Sequence, residues 1–426
     1  MNLTESTTSF FLALVVILLT CRIVGWLVGR VGQPQVVGEM IAGVVLGPSV
    51  VGLISPSAQA HLFPQDIRPL LYVVGQLGLV LFMFEAGYEF RTERIRQLAR
   101  SAGTISAAGV GVPLLLGSTL TFALSGSVHI FVPGVSTGVS ALFVGTALAI
   151  TAFPMLARII TERGIADSRY GSLALASGAL DDAVAWLLLA VVLSLAADRI
   201  RPFALAAGGG VLFVLLMVTI GRRFLAWAVA RRWSSSQHLL LITAAVLFLA
   251  AWYTDRIGLY AVFGAFSVGV AMPRVAAADQ MVATISPLTK IVLLPLFFTY
   301  SGLNTEFGLL NSPAVLGFTV LCVLAAIIGK FGACWAAARL VGESPAVASR
   351  LGALMNARGL MQLIALNVGL QAGIVTHGLF SVLVVVAIVT TVMATPCLDW
   401  FERRAARAGE AVEVSEAGGS PELVSG

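Results

Sequence analysis

Apolar runs of about 20 residues recur from near the N-terminus to about residue 400, separated by short polar stretches rich in arginine. A run of that length crosses a hydrocarbon layer roughly 30 Å thick as a single helix. Composition points the same way. The chain is 58% hydrophobic and 11% charged, with mean hydropathy +0.96, whereas a soluble domain is about a quarter charged. The sequence therefore predicts an all-α polytopic membrane protein of about 13 transmembrane helices. The segments fall near 8–29, 35–54, 67–88, 102–125, 137–160, 170–197, 203–226, 237–253, 257–272, 284–303, 313–338, 347–372 and 377–400. The leader Met1 to Ser9 has no positive n-region, so the first segment reads as a span and not as a cleaved signal.

A net charge of +5 and a pI near 9.3 would admit a nucleic-acid partner. The arginines, however, lie in short inter-helical loops and form no continuous basic face, so no nucleic acid is expected. One alternate set of loops, with the C-terminus, holds 18 arginines from Arg30 to Arg407, against 4 in the opposite set, Arg68, Arg199, Arg201 and Arg256. Basic residues accumulate on the cytoplasmic side. The expected placement is multi-pass in the cell membrane, with the N-terminus outside and the C-terminus in the cytoplasm. Residues 402–426 are polar and aperiodic, and read as a disordered cytoplasmic tail.

An odd number of spans allows two inverted six-helix repeats, a recurring transporter plan. Within a membrane domain over 1–401, repeat one covers about 8–197, a linker helix about 203–226, and repeat two about 237–401. The fifth and twelfth segments hold equivalent places, and both look interrupted. One contains Ile150 to Pro154, where proline removes a backbone hydrogen bond. The other contains Asn356 to Gly359, a polar, glycine-bearing tetrapeptide. Unwinding at both would aim backbone dipoles at one central cavity. In the second segment Gly38, Gly43 and Gly47 would allow close helix approach.

Some charges lie where lipid should exclude them. Asp181 and Asp182 are adjacent in Gly171 to Ala197, with no basic residue between Arg169 and Arg199. A carboxylate at the bilayer centre costs roughly 3 kcal/mol, so a species from outside the helix must neutralise them. Protons and small cations are the natural candidates. Lys330, one of two lysines in the chain, is deep in Ala314 to Ala338, and a buried ammonium needs an anion. Adjacent helical residues point about 100° apart, so one aspartate can face the lysine while the other faces a cavity. We assign Asp181 to Lys330 and Asp182 to the cation, which Asp182 would hold transiently; the sequence also allows the reverse. Lys290, near the start of its expected segment, and Arg22 can snorkel to an interface. Glu39 and Glu85 are expected to join helices by hydrogen bonds or to touch the transport path. Cys21, Cys322, Cys334 and Cys397 show no CxxC spacing, and the four histidines are scattered in loops or near segment ends. Neither set suggests a resident metal or other cofactor.

Taken together, Gly38 to Pro48, Leu77 to Phe90, Thr151 to Gly164, Ser177 to Trp186, Pro295 to Leu303 and Asn356 to Gly369 resemble the monovalent cation:proton antiporter-2 superfamily, the sodium/hydrogen exchanger family that includes Kef-type proteins. The resemblance spans about residues 8–400. It implies the NhaA/NapA-like antiporter fold with crossed discontinuous helices, a homodimer, and an elevator-like shift of a core against a dimer domain. The family's paired acids fall on Asp181 and Asp182 and its membrane lysine on Lys330. The polar crossed-helix positions fall near Thr151 and on Asn356, Arg358 and Gln362, the last where relatives often carry Glu. A double aspartate resembles the electrogenic branch, whereas Kef-type potassium systems carry a Gln-Asp pair.

The expected function is antiport of a monovalent cation, first Na⁺, against H⁺, the two competing for Asp182 with help from Thr151 and Ser177. If Asp181 takes a proton and frees Lys330, two protons could move per cation. A K⁺/H⁺ antiporter, with Li⁺ or K⁺ as the ion, or a Kef-type efflux system remains open on the same features. So does a Na⁺-coupled organic-anion symporter, although that would need no lysine–aspartate pair. An intramembrane aspartyl protease draws its acids from separate helices and would show GxGD, absent here; no enzymatic activity is expected.

Overall fold

The computed structural model describes residues 3–90, 92–198, 201–230 and 236–407. The loop residues Arg91, Arg199, Arg231 and Arg232 and the tail positions 408–426 lie outside the described residues. Every regular element among those described is helical. In chain order they include α1 (Leu3–Gly29), α2 (Gln35–Leu46), α3 (Arg68–Glu89), α4 (Thr92–Leu124), α5 (Thr137–Ala149), α6 (Phe153–Glu162) and α7 (Arg169–Ala196). They continue with α8 (Phe203–Ala230), α9 (Ser236–Arg256) and α10 (Tyr260–Ala271), then α11 (Ala276–Leu303) and α12 (Pro313–Leu340). The last are α13 (Pro345–Met355), α14 (Leu360–Gln371) and α15 (His377–Arg407).

Among the described residues, ten helices are long and apolar enough to cross a membrane, α2 being counted with its continuation to Ile54. The other three expected segments are not continuous spans. Two of them are broken in mid-course, into α5 with α6 and α13 with α14, and the third is the 12-residue α10. Helix α15 continues to Arg407, so the first residues of the expected tail are helical. Helix α11 begins at Ala276, two turns earlier than expected, and this carries Lys290 into its interior.

The helices sort into two packed groups. α1, α2, α3, α9, α10 and α11 pack among themselves, and α4, α5, α6, α7, α12, α13 and α15 among themselves, with α8 against α7 and α10. Expected segments 1–3 and 8–10 thus share one group, and segments 4–6 and 11–13 the other. Glycine sets the closest approaches. At Gly43 a side chain would strike the backbone of Phe298, and at Gly47 that of Gly302, so α2 and α11 touch backbone to backbone. Large apolar side chains such as Leu19, Trp26, Val211 and Leu215 face outward, a surface suited to lipid.

Candidate ion-binding site

The two breaks meet. Between α5 and α6 the residues Ile150 to Ala152 leave helical geometry, and between α13 and α14 so do Ala357 to Gly359. The amide of Ala152 donates to the carbonyl of Ala357 at 3.2 Å, so the interrupted helices cross at their unwound points. Gly359 has φ of 154°, a backbone conformation that L side chains rarely adopt. The Arg358 backbone is held on both sides by Thr391 of α15, whose hydroxyl accepts from the amide and donates to the carbonyl.

A broken helix presents charged ends. The last carbonyls of α5 carry partial negative charge and the first amides of α6 partial positive charge. Two cations cap the negative end: Lys330 Nζ donates to Ala149 O at 2.6 Å and Arg358 to Ala147 O at 3.1 Å. Arg358 also donates to Ala326 O at 3.3 Å. Lys330 belongs to a π turn of α12, Ile328–Gly332, where the usual i→i−4 ladder is widened. At the positive end, the amide of Phe153, first residue of α6, faces the Asp182 carboxylate.

The aspartates have separate surroundings. Asp181 has no exposed surface and is saturated by donors. Lys330 Nζ is 2.7 Å and Thr151 Oγ1 2.6 Å from its Oδ2, and Ser106 Oγ is 2.6 Å from its Oδ1. Asp182 faces no ion-pair partner among the described residues, retains 9% exposure, and leaves Oδ1 without a hydrogen bond. Ser177 Oγ, Asn356 Oδ1 and Gln362 Oε1 are also buried without hydrogen bonds, although the Gln362 amide donates to Leu383 O at 3.0 Å. Orphaned buried oxygens cost about 1–3 kcal/mol each, and four of them on α7 and around the crossing suit a donor or cation that comes and goes.

The geometry brings Asp181, Asp182, Lys330, Thr151 and Arg358 to one crossing, with Asn356 in the break itself. At Thr151 the hydroxyl donates to Asp181, the neighbour of the expected Asp182. Ser106 of α4 was not foreseen, because an isolated serine in an apolar helix carries no distinguishing signal. Lys290 pairs with Glu85 at 2.5 Å, and Ser286 joins them at 2.8 Å, tying α3 to α11.

Crossed, interrupted helices with a buried charge pair inside a two-part helical membrane bundle define a secondary transporter. The sequence profile described as sodium/hydrogen exchanger, transmembrane, matches residues 14–402, and the chain belongs to that family. It is 37% identical over 394 residues to the Na⁺/H⁺ antiporter NhaS4 of Synechocystis, covering 90% of this chain and 94% of the relative. It is 30% identical over 414 residues to the K⁺/H⁺ antiporter 1 of Saccharomyces cerevisiae, covering 93% of this chain and 46% of that longer protein. The fold is similar to that of the sodium proton antiporter MjNhaP1 from Methanocaldococcus jannaschii, at TM-score 0.69 and 13% identity, over 96% of this chain and all of that one.

Proposed function

We propose that the chain is a Na⁺/H⁺ antiporter in which protons and a partly dehydrated cation compete for Asp182. The observation that carries this reading is the asymmetry of the adjacent acids. Asp181 is closed by Lys330 and two hydroxyls, while Asp182 has an open oxygen beside a helix N-terminus. A buried carboxylate with an unfilled acceptor suits a proton or a dehydrated Na⁺, and one site cannot hold both charges. Asp181 acts as the second proton carrier: once protonated it releases Lys330, and the pair re-forms when the proton leaves. Rigid movement of the helix group holding the crossing then exposes Asp182 to either side in turn.

The arginine bias supports a multi-pass placement in the cell membrane with the N-terminus outside, and the apolar outer faces suit lipid and a second protomer. Potassium is the second reading for the ion, favoured by the similarity to a K⁺/H⁺ antiporter. The test is proton flux from purified protein in liposomes under Na⁺, Li⁺ or K⁺ gradients. Asp182→Asn should lower Na⁺-driven flux by at least about 100-fold, the scale of losing an essential charge. Undiminished exchange would remove Asp182 from the mechanism, and a preference for K⁺ would replace Na⁺ as the cargo.

A further inference from the structure

A second polar space lies between the helix groups. It is a cavity of about 30 Å³ lined by Tyr72 and Gln76 of α3, Asp255 of α9, Tyr260 of α10, and Asn367 and Gln371 of α14, among others. A single water needs roughly 10–15 Å³ of such space, so two waters fit, or a cation that keeps part of its hydration. The six side chains present hydroxyls, amides and one carboxylate. The Tyr72 hydroxyl is within hydrogen-bonding reach of Gln371 and Gln76. Asn367 is held by its own donations to Ser301 Oγ at 2.8 Å and Leu363 O at 2.9 Å. Asp255 makes no ion pair among the described residues, and its neighbour Arg256 is not part of the lining.

The cavity is stacked over the central site. Trp186 is one helical turn beyond Asp182, on the same face of α7. Its ring packs against Tyr260 at 5.3 Å, and Tyr260 lines the cavity. Helix α14 leaves the crossing at Gly359 and first lines the cavity at Ile364, about 8 Å along its axis at 1.5 Å per residue. The ring pair is thus a partition one layer thick between Asp182 and the polar space.

We propose that this cavity is an outer loading site for a hydrated monovalent cation, with Asp255 supplying the charge and the tyrosine and amide oxygens replacing part of the water shell. The inference rests on Asp182 being the exchange site. A fixed carboxylate at the mouth of a narrow, low-dielectric passage raises the local cation concentration about tenfold or more. Asp255 is exposed, so changing it disturbs no core.

The experiment is Na⁺-driven proton flux in oriented proteoliposomes, with Na⁺ presented to the face where α9 joins α10 or to the opposite face. Asp255→Asn should raise KM for Na⁺ about tenfold on the first face only, with kcat at saturation held within about twofold, and Asp255→Glu should restore the lower KM. Choline chloride should raise the KM of the unaltered protein toward that of Asp255→Asn, because salt screens an exposed charge. Tyr260→Phe, which keeps the ring on Trp186, should give a smaller rise on the same face. An unchanged KM in Asp255→Asn, or an equal rise from both faces, overturns the outer site. Asp182→Asn separates the two readings: if it is inactive while Asp255→Asn is unaltered, only the outer site falls; if it is active, the reading beneath it falls.

Discussion

Lys330 serves two acceptors at once, the Asp181 carboxylate at 2.7 Å and the open carbonyl of Ala149 at 2.6 Å. Taking the proton onto Asp181 removes a full counter-charge and leaves only the partial charge of a helix end, equivalent to about half an electron. On the proposed reading, proton uptake at Asp181 therefore loosens the hold on the lysine. Removing one partner of a buried pair costs about 3–5 kcal/mol, unless the survivor discharges, which Asp181 can do by keeping a proton. Lys330→Ala should then still exchange, but with fewer protons per cation, read from the gradient at which flux reverses; an unaltered ratio would show that the pair carries no proton. Competition at Asp182 makes a separate prediction. On the side where both ions are presented, KM for Na⁺ should rise as pH falls, approaching about tenfold per pH unit once the site is mostly protonated, by mass action. A KM independent of pH while kcat falls would mean that protons act elsewhere.

At the scale of elements, the crossing depends on two interruptions that point their ends at each other. The link from Ala152 to Ala357 and the anchoring of Arg358 by Thr391 fix the second break. Gly359 allows it, because its φ of 154° is closed to side-chain-bearing residues. Gly359→Ala should cost about 1–3 kcal/mol and slow transport. Gly342→Ala is the control: that glycine also has positive φ, 91°, but sits in a turn with open space around its α-carbon. Comparing melting temperature with flux for the two variants separates lost stability from lost geometry, and equal flux at equal stability would deny the break a transport role. Both interruptions were legible, since proline and a polar glycine segment announce themselves in apolar runs. The lysine–aspartate pairing was legible because so few buried charges exist to choose from. The remaining contacts were not. Which hydroxyl reaches which aspartate depends on helix rotation within a few tens of degrees, and nothing in the local sequence around Thr151 or Ser106 sets that. The partner of Lys290 was hidden for a related reason. Helix α11 starts two turns earlier than the apolar pattern alone suggests, and Glu85, on another helix, supplies the partner.

For the whole molecule, the question is what must separate when the helix groups move. Helix α3 runs past the site from Tyr72 to Glu89, about 26 Å at 1.5 Å per residue, with Phe90 just beyond its C-terminal end. Near its first end are the polar cavity and the Trp186–Tyr260 pair. At its far end three rings meet: Phe90 and Phe266 from the first group and Phe153 from the second, with centroids 5.2 to 5.6 Å apart. Phe153 is also the residue whose amide faces Asp182. The aromatic cluster therefore spans the two groups on one side of the ion site, and the partition and cavity span them on the other. A rigid shift of one group against the other must part the rings on the side that opens, and aromatic pairs of this kind are worth about 0.5–1.5 kcal/mol each beyond their buried area. That is small enough to break within a transport cycle and large enough to hold a closed state. Cysteines at positions 153 and 266, joined by a short reducible cross-linker, should arrest exchange, and reductant should restore it, with each single-cysteine protein as control. Full flux in the cross-linked protein would mean that the ion reaches Asp182 without the two groups moving apart at these rings, and the alternating rigid movement would have to be abandoned for a local one.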